Sequence, residues 1–162
     1  MTDELRDLYQ EVILDHGKNP RNFRHPPEAN RSAKGHNPLC GDQITVYLTL
    51  DAEGNVADAA FDGRGCAISM ASASLMTEVL KGRSPEQVKA LFDNFHYLAT
   101  GSGDAYPAPG LEEALERLEV LGGVRQYPMR VKCATLAWHT MSAALEGGDG
   151  KREPAGDIRT GG

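Results

Sequence analysis

The run from Ile44 to Leu50 constrains the fold most. Ile44, Val46, Leu48 and Leu50 alternate with Thr45, Tyr47 and Thr49, the two-residue period of a strand with one buried and one wetted face. Gly54-Asn55 separates this run from a second apolar one, Val56 to Phe61, so the pair reads as an antiparallel hairpin. A half-wetted hairpin is marginal alone and must lay its apolar face on another layer. Helices supply that layer. Leu5, Leu8, Tyr9, Val12 and Ile13 recur at helical spacing, with Thr2 as N-cap and Gly17 as stop. Ile68, Ala71, Leu75 and Val79 share one face of a helix that stops at Gly82. Ser84-Pro85-Glu86-Gln87 is a capping box opening a third helix, with Val88, Leu91, Phe92 and Phe95 as its apolar face. Leu111, Leu115, Leu118 and Leu121 mark a fourth helix, stopped by Gly122-Gly123, and a last helix is predicted from about Ala134 to Leu145. Between them, residues 18–39 hold Pro20, Pro26, Pro27 and Pro38 and read as a surface connector, in which any strand must lie at a sheet edge. The expected architecture is α+β: a small antiparallel β-sheet of two or three strands packed against several helices. It forms a single domain over residues 1–146, followed by a Gly-rich flexible tail over 147–162.

A chain of 162 residues can bury one sizeable core. Its net charge of −6 argues against binding to nucleic acid or an anionic membrane, which needs clustered excess base. The first residues are charged and lack the apolar core of a signal peptide, and no apolar run is long enough to span a bilayer, so a cytoplasmic setting is expected. No Gly-x-Ser-x-Gly elbow, phosphate loop or dinucleotide fingerprint is present, which removes several large enzyme classes. There are three Cys, an odd number that excludes a closed disulfide framework and points to free or metal-bound thiols in a reducing compartment.

Those thiols form the chemical feature of the chain. Cys40 and Asp42 flank Gly41, which has no side chain to block an ion between them. Cys66 follows a Gly-Arg-Gly turn and precedes a helix, and Cys133 is read in the same relation to the last helix. Helix N-termini favour thiolate, the form that binds metal or attacks sulfur. Three thiolates and one carboxylate make a four-ligand set suited to zinc or to cluster iron. Four anionic ligands on a divalent ion leave about two negative charges to offset, and Arg64, Arg130 and Lys132 lie close in sequence to do so. The spacing, 26 residues and then 67, matches no zinc finger. At this point ligation and ordinary packing of Cys both stand. The five His, at positions 16, 25, 36, 96 and 139, read as packing or surface residues, with a Cys/His nucleophilic pair left open. Ser69, Ser72 and Ser74 read as a small-residue helix face.

Taken together, the motifs are more specific. They are Asp15-His16-Gly17-Lys18-Asn19-Pro20-Arg21-Asn22, Cys40-Gly41-Asp42, the run Gly65-Cys66-Ala67-Ile68-Ser69-Met70-Ala71-Ser72-Ala73-Ser74, and Arg130-Val131-Lys132-Cys133-Ala134-Thr135-Leu136-Ala137-Trp138. On these the chain resembles the IscU/NifU-like iron–sulfur cluster assembly proteins, and within them the SufU branch. The resemblance implies an IscU/SufE-like fold and a metal site of Cys40, Asp42, Cys66 and Cys133. It implies zinc there, with Cys40 accepting sulfur from a SufS-like cysteine desulfurase and passing it to a downstream Suf scaffold or apo-acceptor. Such a protein is a sulfurtransferase-type carrier working with the desulfurase, not a stand-alone enzyme. The alternative implied role is a scaffold that builds and transfers a [2Fe–2S] cluster at the same residues. Lys132 in place of a His, a longer Cys66–Cys133 segment and the missing Leu-Pro-Pro-Val-Lys motif favour the SufU branch. The chemistry agrees, because a carboxylate is a harder and more displaceable zinc ligand than a thiolate. Cys40, beside Gly41, is then the thiol placed to swing outward, with Cys66 and Cys133 as anchors.

Overall fold

A computed structural model describes residues 3–38, 41–101 and 109–147, with side chains from 10 to 146. The elements run α1 (Asp3–Lys18), β1 (Arg31–Asn37), β2 (Asp42–Leu50), β3 (Val56–Arg64), α2 (Ala67–Leu80), α3 (Pro85–Thr100), α4 (Glu112–Leu118), a 3₁₀ segment (Glu119–Gln126) and α5 (Pro128–Gly147). Of the flexible tail expected over 147–162, Gly147 closes α5 instead, and residues 148–162 lie outside the described residues. No described helix is long and apolar enough to cross a membrane.

The three strands form one antiparallel sheet in the order β1-β2-β3. The hairpin falls where alternation placed it. Val46 faces Phe61 and Leu48 faces Ala59 across β2 and β3, and Gly54 takes a φ of +87° in the turn. Ile44, Val46, Leu48, Ala59 and Phe61 are buried on the inner face. α5 covers that face over β1 and β2, and α2 covers β3. Trp138 of α5 stacks on Phe95 of α3, with ring centroids 4.6 Å apart, at the centre of the apolar layer.

The connector holds a strand after all, at the edge as proline spacing requires. β1 pairs only with β2, with Ala33 opposite Val46. A Cβ on Gly35 would overlap the Thr140 hydroxyl of α5, so the strand can approach the helix only because this residue has no side chain. The far edge of β3 is capped by the connector itself, where Arg24 N–H donates to Phe61 O at 2.9 Å and Phe61 N–H to Asn22 O at 3.0 Å. On the outer face, His25 stacks on Tyr47 at 4.0 Å. The Tyr47 hydroxyl donates to Asp62 Oδ2 at 2.9 Å, and burial, then this bond, pushes its pKa up to about 12.

Two helix boundaries differ from expectation. The leucine-rich fourth helix loses α-helical pairing at Leu118 and runs on as 3₁₀ through Gly122-Gly123 to Gln126. The last helix begins at Pro128, not near Ala134. Proline's fixed φ suits the first turn of a helix, where its missing N–H costs nothing, and Tyr127 just before it is extended (φ −132°, ψ 94°). At α3 the capping box forms as read: Gln87 N–H donates to Ser84 Oγ at 3.2 Å and Ser84 N–H to Gln87 Oε1 at 3.0 Å.

Candidate metal centre

Asp42, Cys66 and Cys133 converge from β2, the start of α2 and α5. One ligand atom from each lies within 4.8 Å of the others. Asp42 opens β2 directly after Gly41, whose φ is +75° and whose N–H donates to Asn37 O at 2.8 Å. The carboxylate is buried. Its Oδ1 accepts the Cys66 backbone N–H at 3.1 Å, while Oδ2 is buried with no hydrogen-bond donor among the described residues. A buried acceptor left unbonded is costly, and a cation held jointly with the two thiols would supply the missing partner. The donor set fits zinc or iron, which take thiolate sulfur together with carboxylate oxygen.

Local sequence explains the arrangement. A Cβ on Gly65 would overlap Ser69 Oγ and stand 2.8 Å from Asp42 Oδ1, so the glycine before Cys66 lets the carboxylate reach the backbone N–H. Cys66 is the N-cap residue of α2, with φ −72°, ψ 171° and no side-chain capping bond, so its thiol is left for other work. Its carbonyl is held by Ser69 Oγ at 3.0 Å and Met70 N–H at 3.0 Å. The helix-start placement expected for Cys66 therefore holds. For Cys133 it does not: with α5 starting at Pro128, Cys133 sits fully buried in the second turn, and proximity to unsatisfied N–H groups is no argument for its thiolate. Cys40 lies outside the described residues. Arg64 and Arg130 are exposed, at the end of β3 and in the first turn of α5, and Lys132 is half-buried one residue before Cys133.

No His joins the cluster among the described residues. His16 is buried on α1, its Nδ1 2.7 Å from Ser74 Oγ on α2. The Ser74 oxygen also accepts Arg21 N–H at 2.8 Å, and Asn22 Nδ2 donates to Thr77 Oγ1 at 3.1 Å. The Asp15–Asn22 motif is therefore a clip: it fastens the end of α1 and the connector to the polar side of α2. Gly17 completes it, since a Cβ there would press within 3.2 Å of Ala67, the residue after Cys66. His96 and His139 face each other from α3 and α5 beside Phe92.

Burial lowers the pKa of both His16 and His139, and the neighbouring His96 adds to the effect on His139. Each binds fewer protons folded than unfolded. Their contribution to stability is therefore complete above the unfolded imidazole value of about 6.5 and is lost as pH falls below it. Thermal melts should show a lower Tm at pH 5.5 than at pH 7.5, with a smaller drop in His139→Gln. An unchanged drop in that variant would remove His139 from the account.

A three-stranded sheet backed by helices, with a Cys/Cys/Asp cluster where a strand start meets two helices, defines a small α+β protein built around a candidate thiolate metal site. Residues 8–134 match the NifU-like N-terminal domain, and the chain belongs to that family. It is 39% identical over 151 residues to the zinc-dependent sulfurtransferase SufU of Bacillus subtilis, covering 92% of this chain and 94% of that one. It is 37% identical over 143 residues to the iron–sulfur cluster assembly scaffold protein IscU of Streptococcus pyogenes, covering 88% and 86%. Among solved structures it is similar to a SUF-system iron–sulfur scaffold protein of Fervidobacterium islandicum, at 31% identity and a TM-score of 0.75 over 86% of this chain and 98% of that one.

Proposed function

We propose that this chain works in iron–sulfur cluster assembly as a sulfur acceptor of the IscU/SufU type. It takes sulfur from a cysteine desulfurase onto Cys40 and holds zinc with Cys40, Asp42, Cys66 and Cys133. The observation that carries this reading is the convergence of Asp42 with two thiols within 4.8 Å, one buried carboxylate oxygen being unbonded. The B. subtilis relative supports zinc and sulfur transfer in particular.

Zinc bound there would hold the thiols as thiolates near neutral pH. The chain's residues do the rest. The Cys66 N–H fixes Oδ1 of Asp42 and so holds the carboxylate in place beside the thiols. The Cys40 thiolate attacks the terminal sulfur of the desulfurase persulfide. A new S–S bond forms on Cys40, the bond between the two persulfide sulfurs breaks, and the desulfurase thiolate leaves, with no net oxidation. Arg64, Arg130 and Lys132 offset the negative charge of the ligand set. The cytoplasm is the compartment that keeps such thiols reduced.

Anaerobic incubation with a cysteine desulfurase and cysteine, followed by mass analysis, should show one added sulfur on Cys40 and none in Cys40→Ser. Equal sulfur uptake by that variant would refute the reading. The S. pyogenes relative, named a scaffold, favours a second reading in which a [2Fe–2S] cluster is the cargo at these residues. A cluster that forms on anaerobic reconstitution and passes to an apo-acceptor faster than free iron and sulfide would decide for it.

A further inference from the structure

Helix α2 carries buried hydroxyls that behave in two ways. Ser69 bonds back to its own helix at Cys66 O and Thr77 at Ser74 O. On α5, Thr135 and Thr140 do the same, to Val131 O and Leu136 O. This is the usual fate of a hydroxyl inside a helix. Ser72 departs from it. Its Oγ donates across the interface to Ala134 O of α5 at 2.5 Å, and Ser72 is fully buried.

The place of that bond matters more than its strength. Ser72 stands on the helix opened by Cys66, and Ala134 directly follows Cys133. The buried residues that α2 and α5 otherwise bring to the core are mainly Ala, Leu, Met and Val. Apolar contact is non-directional, so it fixes the register of two helices only through the fit of their side chains. A hydrogen bond is directional and tolerates little sliding. A tetrahedral thiolate site tolerates about 0.2 Å of error in its metal–ligand distances, far less than the rise of about 1.5 Å per helical residue.

We propose that Ser72 is a positioning residue of the metal centre: its bond to Ala134 sets the axial register of α5 against α2 and so the placement of the Cys133 thiol relative to Cys66 and Asp42. The assignment rests on the reading of the cluster as a metal site. Ser74 provides the internal control. It is one buried hydroxyl on the same helix, but its bonds run to His16 and Arg21, away from α5.

The test is a Co²⁺ titration of the full-length chain under anaerobic conditions. It reads the thiolate-to-cobalt charge-transfer band, the d–d bands and the affinity against a chromophoric chelator. Ser72→Ala should weaken affinity about 10-fold, the low end of the cost of losing an outer-shell partner, because Ser72 acts on the thiol only through the α5 backbone, and it should shift the d–d bands. Ser74→Ala should lower Tm with the bands unmoved. The near-isosteric pair Ser72→Thr and Ser72→Val separates hydroxyl from volume, and only the Thr variant should keep the wild-type spectrum. Unchanged affinity and d–d bands in Ser72→Ala and Ser72→Val, with a normal wild-type titration, would overturn the assignment alone. A wild type lacking any thiolate–cobalt band would overturn the metal reading and this assignment with it.

Discussion

Asp42→Asn is expected to weaken zinc binding by at least about 10-fold without lowering the Tm of the metal-free protein. The two effects share one cause. Asn keeps the shape of Asp and keeps an Oδ1 to accept the Cys66 N–H, so the bond at 3.1 Å that ties β2 to the start of α2 survives. What is lost is the negative charge and the Oδ2 that no donor satisfies. A buried anionic oxygen with no partner costs more than the neutral amide that would replace it, so the neutral isostere should be as stable as the wild type or more so. Metal binding responds in the opposite direction. Removing an outer-shell partner already costs about 10- to 100-fold in affinity, and a direct ligand counts for no less. Competition with a chromophoric chelator measures the first effect, and thermal melts in excess chelator measure the second. A variant that binds zinc as tightly as the wild type would remove Asp42 from the ligand set. One that melts well below it when metal-free would mean that the carboxylate is there for structure.

Such a residue is legible in sequence because its signal is local. Cys-Gly-Asp announces two donors with a gap between them, and Gly-Arg-Gly-Cys before an apolar helical period announces a thiol at a helix start. The hairpin is legible for the same reason: alternation and its turn lie within about twenty residues of chain. The start of α5 is harder to read because Pro128 can either end a segment or open one, and the helix that begins there puts Cys133 in the second turn. β1 has the opposite difficulty. Arg31–Asn37 carries a single large-scale clue, the absence of proline, and its inward residues Ala33, Gly35 and Asn37 have no apolar period to read. It is a strand because α5 and β2 make it one. Ser72 and Ser74 were visible as small residues, but their partners lie 62 and 58 positions away. Nothing in a helix sequence tells a hydroxyl that bonds its own backbone from one that reaches another helix.

Chelation of the metal-loaded protein is expected to lower Tm by roughly 8–16 °C and leave a folded domain behind. Small zinc modules unfold without metal because the ion replaces a core they lack. Here the core is complete without it. Trp138, Phe95, Phe61, Leu48 and Leu80 are fully buried in one continuous cluster between sheet and helices, whereas Asp42 and Cys66 stand where β2 and α2 begin. Far-UV circular dichroism of the metal-free chain should therefore match the loaded form, with one cooperative transition in each. The size of the shift follows from mass action. A ligand that binds only the native state, present at about 1,000 times its Kd, adds about 4 kcal/mol. In a domain of this size each kcal/mol is worth about 2–4 °C. The shift should be reversed by adding back zinc and abolished in Cys133→Ala. Loss of the fold on chelation would make the site a structural zinc module. No shift at all would mean that the three side chains hold no resident ion. Between those limits lies the behaviour a sulfur acceptor requires, a metal bound tightly enough to hold thiolates ready and a scaffold that survives when one ligand lets go.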